Sequence, residues 1–306
     1  MPYKNKKFYF NSDTLFVIIN TALLAAFFIV TVYPILFVIT ASISDPKLVS
    51  EGQVLLLPRG ITFQGYEYVM KYKELWLGYG NTIYYTVFGT MLNLIFTLPC
   101  AYALSRRDFP ARHVIMTIFI ITMYVHGGLI PHYLNVQSFG LVDTRAVLLI
   151  VGLVSTYNII IARTFFGSTI PWELQEAARI DGYSDFGIFF RIIIPLSSPI
   201  IVVMAMYYGV GHWNQFFQAM IYLKSRNLYP LQLFLREILI QAQMQAFMGI
   251  ESGLSPEEIA FVMKQQDNAN LLKYGVIVVS TAPMLIIYPF LQKYFSKGVM
   301  LGSVKG

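Results

Sequence analysis

Charge is what this 306-residue chain has least of: Asp, Glu, Lys and Arg make up 12% of it, about half the roughly 25% of an ordinary soluble domain. So little charge cannot cover the surface of a globular protein of this length in water. Cysteine is nearly absent as well. Cys100 stands alone, which excludes a disulfide framework and reads as a small apolar residue rather than a redox group. The low hydrophobicity of a disordered chain is also missing, since 56% of residues are apolar and the mean hydropathy is +0.59. Neither a G-x-x-x-x-G-K-[ST] phosphate loop nor an H-E-x-x-H pair occurs, so neither nucleotide hydrolysis nor zinc-assisted hydrolysis is encoded.

What the chain does have is long uncharged runs. A helical membrane span needs about 20 mostly apolar residues, or slightly fewer where the bilayer adapts. Six stretches meet that need, at about 15–42, 81–104, 114–130, 146–162, 199–221 and 274–291. They are continuous and do not alternate with period two, so they predict helices and not a barrel. The first is too long for the apolar core of a cleaved signal peptide and reads as a retained span, with Pro34 as its kink point. The expected fold is an all-α polytopic membrane protein with six transmembrane helices in one domain, 1–306.

The position of the charge gives an orientation. With the N-terminus inside, the inner segments 1–14, 105–113, 163–198 and 292–306 hold Lys4, Lys6, Lys7, Arg106, Arg107, Arg112, Arg163, Arg179, Arg191, Lys293, Lys297 and Lys305. Against these stand Asp13, Asp108, Glu173, Glu176, Asp181 and Asp185, a balance of +6 that is the whole net charge of the chain. The outer segments sum to zero. This positive-inside pattern places both termini in the cytoplasm of a multi-pass protein of the cytoplasmic membrane. The basic balance is therefore a topology signal, and no nucleic-acid partner is implied. No Asp, Glu, Lys or Arg lies inside any run, and His126 and His212 are the ionisable groups left at membrane depth. Ion-coupled carriers usually keep intramembrane charges as relays, so a transporter of this kind draws its energy from elsewhere.

The segment 168–195, between the fourth and fifth runs, carries the most specific pattern. Pro171, Glu173 and Glu176 begin a short helix, and Gly182 allows a reversal with positive φ. Ser184 and Asp185 can cap a second short helix leading to Pro195 and Pro199. Ala177 and Ala178 offer a small-residue face that a partner's backbone can approach closely. Glu176, Ala177, Ala178, Asp181 and Gly182, followed by Ile192 and Pro195, resemble the EAA loop of binding-protein-dependent ABC import permeases.

The resemblance extends over nearly the whole chain. Gly127, Gly128, Leu129, Ile130 and Pro131, with Tyr133, Leu134, Gly140, Leu141 and Thr144, look like the outer turn after span three in permeases for oligosaccharides or oligouronates. The ending 297–306 is similar to the tail that inserts between the two ATPases in maltose-type systems. The resemblance implies a type I importer permease taking up a carbohydrate, an oligosaccharide by preference, with no catalytic residue and no cofactor of its own. It implies a second homologous permease, two cytoplasmic ATPase subunits that hold ATP and Mg, and an extracytoplasmic solute-binding protein. It also implies that the helix bearing Glu176 sits in a cleft of an ATPase and that Gly182 makes the turn. The outer loop 222–272, long for a connector, corresponds to one that reaches into the docked binding protein.

Trp213, Asn214 and Phe217, with Tyr207 nearby, are the expected substrate-path residues. Flat aromatic faces stack on sugar rings and amides bond hydroxyls, although an interfacial aromatic belt has the same composition. Asn93 and Asn158, lying mid-span, are expected to bond neighbouring helices, and Arg163 to snorkel. An import permease for a non-sugar solute and a membrane-embedded transferase are the rival readings. The transferase would need clustered His, Asp or Arg at the membrane face, and none is visible.

Overall fold

The computed structural model describes residues 12–248 and 256–299. Among these every regular element is a helix. The described residues form two compact units: one runs up to Lys71 and includes Ile238–Val279, and the other comprises Tyr72–Glu237 and the residues from Ser280 on. The expected segments 1–11, 249–255 and 300–306, including Lys4, Lys6, Lys7 and most of the tail, lie outside the described residues.

Among the described residues not every expected run is a single straight helix. Three helices among the described residues are long and apolar enough to cross a membrane: Asp13–Ser42, Lys73–Ser105 and Ala269–Phe290. Two more count if each bent pair is one span, Arg112–Tyr124 with Leu129–Ser138 at 117° and Asp185–Leu196 with Ser198–Trp213 at 83°. The fourth expected run, 146–162, is broken. Arg145–Ile150 and Thr156–Thr169 are separate helices, and Gly152 between them takes φ +83°, a conformation that costs glycine little.

A break inside an apolar run frees backbone groups that apolar surroundings cannot satisfy, and here side chains take them up. Asn93 Nδ2 donates to the Leu153 carbonyl at 2.6 Å. The Ser155 amide donates to the Tyr208 hydroxyl at 3.2 Å, and that hydroxyl in turn pairs with Thr97 Oγ1 at 2.7 Å. Asn93 thus bonds a neighbouring segment, as its mid-span position suggested. Arg163 Nε donates to the Leu104 carbonyl at 3.0 Å, where the helix Lys73–Ser105 runs out of internal donors.

In the first unit the helix Ser12–Ser42 buries none of its apolar window in this chain. Its far end is tied by Ser42 Oγ to Tyr66 hydroxyl at 2.8 Å and by an edge contact of Phe37 on Tyr274. In the second unit Lys73–Ser105 is the central helix, packed on Ser198–Trp213 and Thr156–Thr169. Around its Ser105 end Leu104, Ile159, Phe166, Ile188, Ile193 and Met204 are buried together. Near its other end Tyr85, Val147, Leu148, Tyr222 and Leu233 form a second core.

Among the described residues the segment 222–272, expected as an outer loop, is largely helical. Arg226–Leu228 is a 3-10 turn, Leu231–Met248 is a helix, and the helix Pro256–Val299 begins before the run ends. Its first part docks on the central helix through polar pairs: Asn81 Nδ2 to the carbonyls of Asn227 and Tyr229 at 2.8 and 3.0 Å, and the Leu231 amide to Thr82 Oγ1 at 2.8 Å. Leu231 and Phe234, three apart and so on one helical face, are buried. A Cβ at Gly78 would stand 2.7 Å from the Phe234 ring, so the absence of a side chain there sets the close approach.

Candidate functional site

The helix predicted around Glu176 runs from Trp172 to Ile180. Its end is closed by two reversed bonds, Gly182 N to Arg179 O and Tyr183 N to Ala178 O, each at 3.0 Å. This is the Schellman arrangement, which needs a left-handed residue after the cap, and Gly182 supplies it at φ +82°. A Cβ there would meet nothing within 4 Å, so the backbone angle and not crowding favours glycine. Ser184 Oγ accepts the Gly187 amide at 3.2 Å and opens the next helix, Asp185–Ile188. A π-turn, Phe189–Ile193, leads to the 83° bend. The freed Ile193 carbonyl accepts Ser197 Oγ at 2.6 Å.

Glu176, Ala177, Asp181 and Gly182 are exposed, whereas Ala178 is buried. The expected small-residue face is therefore divided. Successive helical residues point about 100° apart, so Ala177 turns outward while Ala178 packs in the core that also holds Ile188 and Phe189. Glu176 Oε1 accepts the Trp172 indole N–H at 2.8 Å, which steadies the carboxylate on the outer face. Sequence reasoning missed two neighbours: Ile180 is 87% exposed and Phe186 76%. Large apolar side chains amid the charges of 173–185 were the available signal.

Behind this segment lies a cluster of charges. Arg106 donates from Nε and Nη2 to the two carboxylate oxygens of Asp108, at 3.0 and 2.6 Å, and from Nη1 to Asp185 Oδ1 at 2.7 Å. Arg179 Nη2 reaches Asp108 Oδ2 at 2.6 Å. Burial works to lower the Arg106 pKa, but the bonds to Asp108 and Asp185 outweigh it and hold the guanidinium above its ordinary value. Tyr102 hydroxyl donates to Gln175 Oε1 at 3.1 Å beneath them.

A cavity of about 470 Å³ opens beside the break in the fourth run. Tyr207, Asn214 and Phe217 line it, together with Gln215, Gln218, His212, Asn158 and Ser155. Its walls carry no Asp, Glu, Lys or Arg. Trp213 does not join them: its ring is buried against Tyr79 and its Nε1 donates to the Ser280 carbonyl at 3.1 Å. Asn158, expected to serve helix packing, stands on the cavity wall. His212 connects the cavity to the central helix, since it stands on the cavity wall and its Nε2 lies 2.7 Å from Asn93 Oδ1. Gln215 Nε2 donates to Gln218 Oε1. His126 sits in the turn between Arg112–Tyr124 and Leu129–Ser138, and is exposed.

A family model described as binding-protein-dependent transport system inner membrane component matches residues 75–301. The chain belongs to this family. The permease is 37% identical to the protein LplC of Bacillus subtilis (strain 168) over 279 residues, 90% of each chain. It is 36% identical to the polygalacturonan/rhamnogalacturonan transport system permease protein YtcP of the same organism over 296 residues, 96% of this chain and 99% of that one. Its fold matches a chain in the crystal structure of a bacterial ABC transporter involved in the import of the acidic polysaccharide alginate. That match has a TM-score of 0.82 and 36% identity, and covers 95% of this chain and 100% of the other. The family expected from Glu176, Ala177, Ala178, Asp181 and Gly182 is thus the family found. The permease is a membrane component of a transport system, a family of transport subunits rather than of enzymes.

Proposed function

We propose that this permease is the membrane subunit of a type I ABC importer for carbohydrate, an oligosaccharide or oligouronide delivered by an external solute-binding protein. Both termini lie in the cytoplasm and the chain crosses the membrane six times, with the bent and broken helix pairs counted as spans. The fourth is Arg145–Ile150 with Thr156–Thr169. A second, similar permease completes the route, and two cytoplasmic ATPases supply ATP hydrolysis on ATP and Mg. Exposed Glu176, Ala177, Asp181 and Gly182 form the docking face toward an ATPase. Closure of the motors displaces the helix Trp172–Ile180, and the packed helices behind it swing between inward-open and outward-open.

One observation carries the substrate class: at 36% identity over nearly its full length the chain matches both a permease named for polygalacturonan and rhamnogalacturonan and a chain of an alginate importer. The cavity chemistry is in keeping with it. Tyr207, Phe216 and Phe217 line the cavity together with the amides of Asn158, Asn214, Gln215 and Gln218. The test is uptake into proteoliposomes holding the whole assembly, with a panel of labelled neutral and uronic oligosaccharides, amino acids and short peptides. Binding-protein-dependent accumulation of an oligosaccharide is expected. Accumulation of an amino acid or peptide instead would overturn the substrate class.

A further inference from the structure

We propose that Arg106 is a positioning residue that transmits movement of the docking segment to the central helix Lys73–Ser105. The inference rests on the importer reading above and assigns a residue outside the EAA pattern.

Arg106 is the residue directly after the central helix, and its side chain is only 10% exposed. Three of its N–H groups are used, two on Asp108 and one on Asp185. Asp108 Oδ2 is shared with Arg179 at 2.6 Å from each guanidinium. Arg179 precedes the Gly182 turn and Asp185 follows it, so the ion-pair cluster grips the docking segment on both sides of its reversal. A guanidinium is planar and its donors are fixed in a fork, so such a contact resists rotation as well as separation. Two cations meet two anions, and loss of Arg106 leaves two carboxylates around Arg179 alone.

The other end of the path is the cavity. The central helix carries Asn93, which holds the Leu153 carbonyl at the break and meets His212. On the same helix Gly89 admits the His212 ring, since a Cβ there would lie 2.4 Å from Nε2. A rotation or shift delivered at Arg106 therefore reaches the cavity wall through one continuous helix. The exposed side chains of Glu176 and Ala177 take no part in the cluster, so docking and transmission are separable.

The experiment compares wild type, R106Q and R106K in the reconstituted assembly, reading ATP hydrolysed per sugar imported together with the amount of assembled complex. R106Q is expected to keep binding-protein-stimulated hydrolysis within about twofold while uptake falls about tenfold, the usual size of a coupling between sites. The ATP cost per sugar then rises about fivefold or more, and R106K, a point charge without the fork, falls between. A merely structural role predicts that uptake, hydrolysis and assembled complex fall together with the ratio unchanged, and that result overturns the proposal. Should R106Q fail to assemble, D185N removes the charge of the more exposed partner alone and is read by the same ratio. A wild-type assembly that imports nothing overturns the importer reading and this inference with it. Import by wild type with an unchanged ratio in the variants overturns the inference alone.

Discussion

Nε2 of His212 lies 2.7 Å from Oδ1 of Asn93, in space that exists only because residue 89 has no side chain. An amide oxygen can only accept, so His212 donates from Nε2. Asn93 spends its own N–H on the Leu153 carbonyl, which ties the break in the fourth run, the central helix and the cavity into one unit.

Gly89→Ala is expected to displace the imidazole and destabilise the detergent-solubilised permease by about 1–3 kcal/mol, the usual cost of overpacking. His212→Ala opens room for the added methyl, so the double variant should lose less than the sum of the two single ones. A thermal-unfolding double-mutant cycle checks this, and strict additivity would count against the contact.

Gly182 separates backbone strain from partner contact. Gly182→Ala meets no atom of this chain and is expected to cost only the left-handed strain of about 1–2 kcal/mol, with uptake largely kept. Gly182→Trp should insert normally yet abolish binding-protein-stimulated ATP hydrolysis, because the added bulk projects from the proposed docking face. Equal activity of both variants would remove Gly182 from the docking face.

Asp143 makes a pH-dependent clamp. It sits at φ +61°, and its carboxylate accepts the Lys224 and Ser225 amides at 2.8 Å each and Ser225 Oγ at 2.6 Å. The bonds from Ser225 and then Lys224 hold its pKa below the usual carboxylate range. A depressed folded pKa contributes stability that is complete above the unfolded value, about 3.9, and is lost as pH falls through the folded one. The melting-temperature gap between wild type and Asp143→Ala should therefore be largest at neutral pH and shrink below about pH 4. A gap independent of pH would mean the carboxylate charge does not matter.

Two aromatic residues in sequence proximity should behave differently. Phe217→Ala is expected to weaken uptake about three- to tenfold, the equivalent of roughly 1 kcal/mol, because its ring lines the cavity. Trp213→Phe loses the bond to the Ser280 carbonyl and should lower stability while leaving the substrate concentration for half-maximal uptake unchanged. Transport assays over a concentration series distinguish the two.

What the sequence revealed was local. Pro171, Gly182 and Ser184 act within a turn of themselves, so the helix, reversal and second cap could be read directly. The break at 151–155 could not, since Gly152 and Ser155 are tolerated inside apolar runs and the groups that satisfy the break, Asn93 and Tyr208, come from distant segments. The division of Ala177 from Ala178 depends on which way a short helix is rotated against its core. The Arg106 pairing with Asp185 joins residues 79 positions apart. Trp213 looked like its neighbours by composition, and only the packing against Tyr79 and Ser280 removes it from the cavity.

The central claim is that sugar import is driven through the exposed face of Trp172–Ile180. Its most direct test is ATP-driven accumulation of a labelled oligosaccharide or oligouronide by the complete reconstituted assembly, wild type against Glu176→Lys, with membrane insertion measured alongside. The expected result is accumulation by wild type and its collapse, together with that of stimulated ATP hydrolysis, in a variant that inserts equally well. Equal accumulation by the two would contradict the account.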